Sequence, residues 1–407
     1  MTEPMYYEKI VESNIREYGS AYRLLTFPDS EGAFRLMAER ESLLAWLSEN
    51  AEMGCSGTKV DCASLSPGCR SCVEGGWSCL FINGRCNGRC FYCPTAQDDD
   101  GPPVTNGIAF SSPEDYASYL ERFNFTGASI SGGEPLLTPE LSISYIRAVK
   151  NRFGDSIHLW LYTNGTMLTP ELCRRLGEAG LDEMRFDIGA VRYNLKKLRI
   201  AVGTIPVVTV EIPAIPEDEP LVRQKMVEMK GAGVNHLNLH QLRLTPHNFP
   251  HLLERGYLFT HGEKVTVPDS ELAALRLVKF SIESGIGLPV NYCSFPYKRR
   301  FQHAAARRRA ALSVCAEDET VTDVGYLRRI ENGAVRYSEA VILQRPSFSS
   351  AFEKMTLDSG RQLYIEKRQV APDIVFDAVQ LELFESGISP EEVTGFERIK
   401  PGLAPYF

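Results

Sequence analysis

Long apolar runs are missing from this sequence of 407 residues. No stretch approaches the roughly 20 residues that a membrane-spanning helix needs, so no membrane segment is expected. The amino terminus, Met1-Thr-Glu-Pro-Met-Tyr-Tyr, lacks the apolar core of a signal peptide, and a cytoplasmic protein is expected. Positive charge is not in excess either. The net charge is −8, which speaks against nucleic acid or an anionic membrane surface as a partner. Internal repeats and low-complexity tracts are absent. Histidine is scarce, with seven in all, and none forms a metal-binding pair. His236 and His240 share one face of a strand-like run and read as hydrogen-bonded polar residues. What is present is a globular composition, 43% hydrophobic and 24% charged. That length allows a large core with one or two additions.

Cysteine is the exception to this even composition. Eight of the 11 cysteines lie between Cys55 and Cys93. In a reducing compartment such density points to metal rather than disulfides. The stretch Cys86-Asn-Gly-Arg-Cys90-Phe-Tyr-Cys93 puts three thiols within eight residues, too tight and too odd a number for disulfides. Three thiolates fix three irons of a [4Fe–4S] cluster and leave the fourth open to a ligand. A zinc knuckle, the alternative, wants four protein ligands. Gly84 and Gly88 let the loop wrap closely. Such a cluster also implies a reducing or anaerobic setting. Upstream runs a second array, Cys55-x6-Cys62-x6-Cys69-x2-Cys72-x6-Cys79. Its Gly, Ser and Pro spacers cannot build a core. Cys55, Cys62, Cys69 and Cys72 around a second tetrahedral metal ion, iron or zinc, would order it. Cys79 then belongs to the following strand or replaces one of the four.

The chain divides into an N-terminal helical cap (1–54, with Tyr18 and Tyr22), the cysteine-rich metal loop (55–76), a regular β/α alternation (77–250), a helical connection (251–311) and a small α+β domain (312–407). Strands are expected at Ser78–Asn83, Gly127–Ser131, His158–Tyr162, Glu183–Ile188, Val207–Ile212 and His236–Leu242. Helices open at Ser112-Pro-Glu-Asp, Thr138-Pro-Glu and Thr169-Pro-Glu, each with a hydroxyl cap before proline. A further helix covers Leu221–Lys230 and stops at Gly231. Six such units imply an α/β fold, a partial (β/α)6 TIM-type barrel. Chemistry in such barrels sits at the C-terminal strand ends. There lie the cysteine loop, Gly132-Gly133-Glu134, Thr163-Asn164-Gly165, Asp187, Glu211 and His240-Gln241. A barrel left open at the side admits a peptide or protein. Beyond it come a helix from Val267-Pro-Asp to near Gly285 and a basic helix, Lys298–Arg309, either a solvated charged face or a surface for an acidic partner. Strands within 319–346 turn at Asn332-Gly333. A strand at Gln362–Lys367 and a helix at Asp373–Glu385 follow.

Gly132 and Gly133 remove side chains so that backbone can approach a small ligand, and Glu134 offers a carboxylate to a ligand ammonium. Asp187 and Glu211 suit ribose hydroxyls, a cationic substrate or a structural ion pair. The pairing of Cys86-x3-Cys90-x-Tyr-Cys93 with Ser131-Gly-Gly-Glu-Pro135 at the next strand end resembles the radical S-adenosylmethionine (SAM) superfamily. The resemblance implies a [4Fe–4S] cluster on Cys86, Cys90 and Cys93. It also implies SAM held by Gly132, Gly133 and Glu134, with Tyr92 beside the adenine and Asn164 and Asp187 as further cofactor-binding candidates.

Over nearly its whole length the chain resembles the methanogenesis marker protein 10 family. The carriers are the early cysteine array, the run Trp77-Ser-Cys-Leu-Phe-Ile-Asn-Gly-Arg-Cys-Asn-Gly-Arg-Cys-Phe-Tyr-Cys-Pro94, the Gly-Gly-Glu-Pro segment and the C-terminal domain. This second resemblance implies a cobalamin-dependent radical SAM methyltransferase acting on the δ-carbon (C5) of an arginine in the methyl-coenzyme M reductase α subunit. One SAM would supply the 5′-deoxyadenosyl radical and another would remethylate cobalamin. Cobalamin would sit on residues 312–407, and an electron donor such as ferredoxin would serve the cluster. Tyr22, with Tyr18 behind it, would cap the open iron when SAM is absent. The cobalamin fingerprint Asp-x-His-x-x-Gly is missing, so cobalamin rests on the resemblance alone. Two alternatives stand beside it: a cobalamin-independent peptide maturase with the Cys55–Cys72 array as auxiliary site, and a non-catalytic metal scaffold. Glu134 and the three loop cysteines speak against the scaffold.

Overall fold

A computed structural model describes residues 3–55, 57–346 and 352–370. At its centre is a parallel sheet of β1 (Trp77–Arg85), β2 (Gly127–Gly132), β3 (His158–Thr163), β4 (Glu183–Phe186), β5 (Val207–Pro213), β6 (His236–His240) and β7 (Val290–Cys293), paired in that order. Helices cover its outer face, making the partial TIM-type barrel that the alternation implied. β7 lies parallel to β6, a further unit beyond the six expected strands. It was not legible because 241–267, irregular apart from the short helix Phe249–Glu254, separates β6 from the helix Pro268–Glu283 that leads into it. Beyond β7 the short strand Lys59–Val60 adds antiparallel, with Lys59 opposite Cys293. The cysteine-rich loop is thereby part of the sheet.

Local rules place most helix starts. Ser112 caps Pro113–Arg122 through the Asp115 amide, and Thr169 caps Pro170–Glu178 through the Leu172 amide. Thr138 precedes Pro139–Phe153 but makes no cap; its hydroxyl takes a hydrogen bond from Asn83 on β1 instead. The helix expected to stop at Gly231 runs from Glu219 to Ala232 and ends at Gly233, whose φ of 90° is the left-handed stop. Gly231 needs no such conformation and lies within the helix.

The N-terminal helices Glu3–Tyr18 and Ser30–Asn50 cap the barrel as expected. A buried ion pair, Arg40 with Glu271 at 3.2 Å, ties the second of them to Pro268–Glu283. The basic stretch contacts other parts of the chain. It forms a turn of π-helix, Tyr297–Gln302, followed by His303–Leu312. Three of its arginines have partners in the chain: Arg307 stacks on Tyr326 and donates to the Val324 carbonyl, Arg308 pairs with Asp323 at the surface, and Arg309 lies over Phe125. This helix is the strut joining the barrel to a five-stranded antiparallel sheet, 319–370. The hairpin at Asn332-Gly333 has both residues at positive φ, 51° and 77°, as a two-residue turn requires. The helix expected at Asp373–Glu385 lies outside the described residues. Among the described residues no helix is long and apolar enough to cross a membrane.

The barrel interior carries charge rather than aliphatic layers. Glu183 is fully buried and accepts from Arg185 Nε at 2.8 Å and Thr209 Oγ1 at 2.7 Å, with His158 Nε2 2.8 Å away. Burial alone would raise its pKa, but Arg185 and His158 outweigh it and bring the carboxyl down to about 2. A depressed acid stabilises the fold above its unfolded value, about 4.3, and that stability is lost as pH falls toward 2. Glu183→Gln should therefore destabilise the protein by about 3–5 kcal/mol at neutral pH. In urea unfolding, the gap from wild type should close as pH drops from 4.5 toward 2, whereas a gap independent of pH would mean that Glu183 acts without its charge.

Candidate active site

β1 carries the cysteine loop, and its end is clamped by the next strand. The Gly133 amide donates to the Asn83 carbonyl at 2.9 Å and the Glu134 amide to the Arg85 carbonyl at 2.6 Å. A Cβ on Gly132 would lie 2.1 Å from the Asn83 oxygen, and one on Gly133 only 1.9 Å from the Arg85 oxygen. A Cβ at either position would collide with β1 itself, so glycine is required here for backbone to approach backbone.

Glu134 is engaged by donors of the chain itself. Its carboxylate turns inward, buried, and takes donors from the Leu136 amide at 3.0 Å, Thr163 Oγ1 at 2.7 Å and the Asn164 amide at 2.7 Å. Burial raises its pKa, and these donors oppose the rise. A buried carboxylate without a cation gathers amide and hydroxyl donors, so the side chain here braces the site. Asn164 completes the brace: its Nδ2 donates to Asn87 Oδ1 at 2.8 Å and approaches Cys86 Sγ at 3.8 Å. Cysteine loop, Gly-Gly-Glu segment and Asn164 thus form one connected unit.

Within the loop, the Gly88 amide donates to Cys86 Sγ at 3.2 Å. A Cβ on Gly88 would stand 3.3 Å from the Cys86 sulfur and 3.6 Å from the Cys90 sulfur, so glycine keeps the space between them free. Cys93 Sγ accepts from Gln97 Nε2 at 2.6 Å, a partner no motif signalled. Burial, with Asp187 adding to it, pushes the Cys90 thiol up to about 12, and burial raises Cys86 as well. Three soft donors on one loop suit an iron–sulfur cluster. Among the described residues no three His, Cys, Asp or Glu side chains are placed to hold a metal ion.

Asp187, just past β4, accepts from the Tyr92 hydroxyl at 2.9 Å on both oxygens and from the Ala190 amide at 3.2 Å. Burial pushes it up to about 6. Tyr92, Phe91 and Tyr22 pack against the same apolar cluster, which includes Tyr18, Leu244 and Phe249. Tyr22 Oη lies 3.2 Å from His261 Nε2, and His261 Nδ1 is 3.1 Å from Asn14 Oδ1. Tyr18 is buried and donates to the Leu244 carbonyl at 3.0 Å. Glu211 proves to be an ion-pair residue. It sits inside β5 with Arg185 at 2.7 Å, His240 at 2.6 Å and Asn238 at 3.0 Å.

The early array divides between two elements. Cys55 and Cys62 flank the short strand at Lys59, whereas Cys69 and Cys72 lie on the helix Pro67–Val73. Cys69 Sγ accepts from Asn238 Nδ2 at 3.3 Å, and Cys72 Sγ accepts from Gln302 Nε2 at 3.1 Å and lies 3.3 Å from the Tyr297 hydroxyl. Cys79 remains on β1. Sequence reasoning missed Cys293, at the end of β7, whose sulfur accepts from Lys59 Nζ at 2.8 Å. No spacing could have found it, since β7 reaches the array only through tertiary pairing.

Residues 80–204 match the model of the Radical SAM superfamily. A Methanocaldococcus jannaschii protein, provisionally named a glycyl-radical enzyme activating enzyme, is 30% identical over 277 residues, covering 65% of this chain and 72% of that protein. A Campylobacter jejuni GTP 3′,8-cyclase is 29% identical over 118 residues, 29% of this chain and 36% of the cyclase. Among solved structures, Streptococcus suis SuiB bound to S-adenosylmethionine covers 61% of this chain and 58% of its own at 12% identity and a TM-score of 0.38. The radical S-adenosylmethionine methyltransferase TsrM of Kitasatospora setae covers 42% and 37% at 14% identity and a TM-score of 0.30. At those scores neither likeness bears on this chain's chemistry.

The clamp on β1 makes a direct prediction. Gly133→Ala should drive the end of β1 from the Gly-Gly-Glu segment and lower iron incorporation severalfold after anaerobic reconstitution. Gly231→Ala, where a Cβ meets nothing within 4 Å, should bind iron as the wild type does. Equal iron content in both variants would show that the clamp does not position the cysteines.

Proposed function

The chain belongs to the radical SAM superfamily, and we propose that it is a cobalamin-dependent radical SAM methyltransferase of the methanogenesis marker protein 10 type. Its substrate in this reading is the δ-carbon of an arginine in the methyl-coenzyme M reductase α subunit. The observation that carries the enzymatic part is the joined unit of cysteine loop, Gly-Gly-Glu segment and Asn164. Cys86, Cys90 and Cys93 would hold the [4Fe–4S] cluster. The backbone of Gly132–Glu134, with Asn164, Tyr92 and Asp187, would hold SAM beside it. When bound, these cofactors and cobalamin supply a hydrogen-abstracting radical and a methyl group.

The chain's own residues orient and enclose. Glu134 and Asn164 fix the loop relative to β2 and β3. Asp187 is a buried carboxylate served by a phenol and an amide, which suits hydroxyl or cationic groups of a cofactor. Tyr22 is assigned as the residue that caps the open iron in the absence of SAM, its hydroxyl resting near His261 in this structure. A cavity of about 280 Å3 between β1 and the C-terminal sheet, with Phe81, Phe125 and Ile342 on its walls, supports the barrel's side as the face toward cobalamin and substrate. A second metal ion, iron or zinc, is assigned to the thiols of the early array. Ferredoxin or a similar protein is the proposed electron donor. The name of the M. jannaschii relative favours a second reading, hydrogen abstraction from a protein glycine without methyl transfer.

The test is an anaerobic assay of reconstituted protein with SAM, a strong reductant, methylcobalamin and an arginine-containing peptide of the reductase α subunit, followed by mass spectrometry. The expected product is one methyl on arginine carbon, dependent on cobalamin, with 5′-deoxyadenosine and S-adenosylhomocysteine both formed. Deoxyadenosine without peptide methylation would overturn the methyltransferase reading. Cys90→Ala should abolish SAM cleavage and leave the protein folded; cleavage persisting without the cluster would sink the assignment of the loop.

A further inference from the structure

A buried side chain joins the second half of the cysteine loop to a part of the chain that no motif marks. Asn248 is 1% exposed and stands directly before the short helix Phe249–Glu254, in the N-cap position. An asparagine there ordinarily accepts from an amide of the helix's first turn. This one makes no such cap. Its Oδ1 accepts from the Thr245 amide at 2.7 Å. Its Nδ2 donates to the Arg243 carbonyl at 3.1 Å and to the Tyr92 carbonyl at 3.2 Å. The two hydrogens of the side-chain amide are therefore divided, one inside 241–267 and one on the cysteine loop.

The Tyr92 carbonyl belongs to the peptide that leads into Cys93, whose amide donates to the Cys90 carbonyl at 3.1 Å. A backbone carbonyl withdrawn from water needs a donor, and Asn248 supplies one. The same stretch holds the neighbouring side chain: the Arg255 guanidinium lies 3.9 Å from the centre of the Phe91 ring and pairs with Glu217. The first half of the loop is placed from the barrel, by the Gly133 and Glu134 amides on β1 and by Asn164 at Asn87. The second half is placed from 241–267. That stretch is in turn attached to the N-terminal helices. Tyr18 donates to the Leu244 carbonyl at 3.0 Å, the Phe259 amide to the Thr26 carbonyl at 2.9 Å and Asn14 Nδ2 to the Gly262 carbonyl at 2.9 Å, and Lys264 pairs with Glu17.

We infer that Asn248 is a positioning residue of the candidate active site. It fixes the peptide between Tyr92 and Cys93, and with it the directions in which the Tyr92 ring and the Cys93 sulfur leave the backbone. Through it the geometry of the loop depends on 241–267 and on the N-terminal cap. Asn248 and Tyr92 are 156 residues apart, so no spacing announces the contact. Its consequence for an iron–sulfur cluster rests on the reading of the three loop thiols as cluster ligands.

The test follows hydrogen exchange by mass spectrometry in the full-length protein before anaerobic reconstitution, and the electron paramagnetic resonance spectrum of the reduced cluster after it. Asn248→Ala should speed exchange in the peptide that contains Cys93 by about tenfold, as loss of one buried hydrogen bond implies, and should alter the cluster spectrum. Thr245→Val removes the hydroxyl that accepts from the Asn248 amide at 3.3 Å and leaves the Tyr92 contact in place. It should speed exchange within 245–249 alone and keep the wild-type spectrum. Tyr18→Phe should speed exchange at Cys93 in the wild-type background and add nothing to Asn248→Ala. Wild-type exchange at Cys93 in Asn248→Ala, or an equal effect of Thr245→Val on the loop, would overturn the inference; an equal effect of Tyr18→Phe with and without Asn248 would remove the link to the cap. If Asn248→Ala fails to fold, the wild type decides. In urea below the unfolding transition, the amides of Cys93 and of 245–249 should open with one common dependence, and separate openings would overturn the inference. A wild-type protein that takes up no [4Fe–4S] cluster would overturn the cluster reading instead and leave the exchange result standing.

Discussion

The site depends on two backbone hydrogen bonds, from the amides of Gly133 and Glu134 to the carbonyls of Asn83 and Arg85. They bring the end of β1 so close to the following segment that neither Gly132 nor Gly133 tolerates a side chain. The cysteine loop begins one residue past Arg85. Its starting point is thus set by backbone contact, a stiffer constraint than any side-chain packing around a loop. Glu134 and Asn164 then carry that constraint from β2 to β3 through buried hydrogen bonds, which in a low-dielectric surround hold geometry well. A cluster bound there would inherit its position from the sheet.

The interior of the barrel repeats the principle with charges. Arg185 is sandwiched against Trp160 and Tyr162 and paired with Glu183 and Glu211. An aromatic and acidic slot suited to a guanidinium is therefore already filled by the chain's own arginine. Glu211, a strand-end residue that suited either a ligand or a structural ion pair, forms the ion pair.

At the side of the barrel the basic helix has a structural task. Stacking and pairing of Arg307, Arg308 and Arg309 attach the antiparallel sheet to the barrel. Burial brings Arg309 down to about 10, a measure of how far that arginine has left water. The contact is reinforced by Arg152 with Asp358 and by Gln344 with the Gly107 carbonyl. The sheet is held beside β1, where a laterally open barrel presents its interior.

The sequence by itself determined the elements and the chemistry of the loop. Six strands, the proline-led helix starts, the Asn332-Gly333 hairpin and the three thiols of Cys86, Cys90 and Cys93 all follow from local propensity or short spacing, which act within a few residues. The partners that tertiary structure supplied were not readable. Gly132 and Gly133 announced a close approach, but only the fold shows that the approaching group is β1. Glu134 announced a carboxylate, but which donors surround it depends on β3. Cys293 and Lys59 meet because β7 adds to the far end of the sheet, a pairing between segments distant in the chain that no local pattern encodes. Spacing along a chain specifies which groups a loop can offer; the free energy of burial and pairing across the sheet decides which of them face one another.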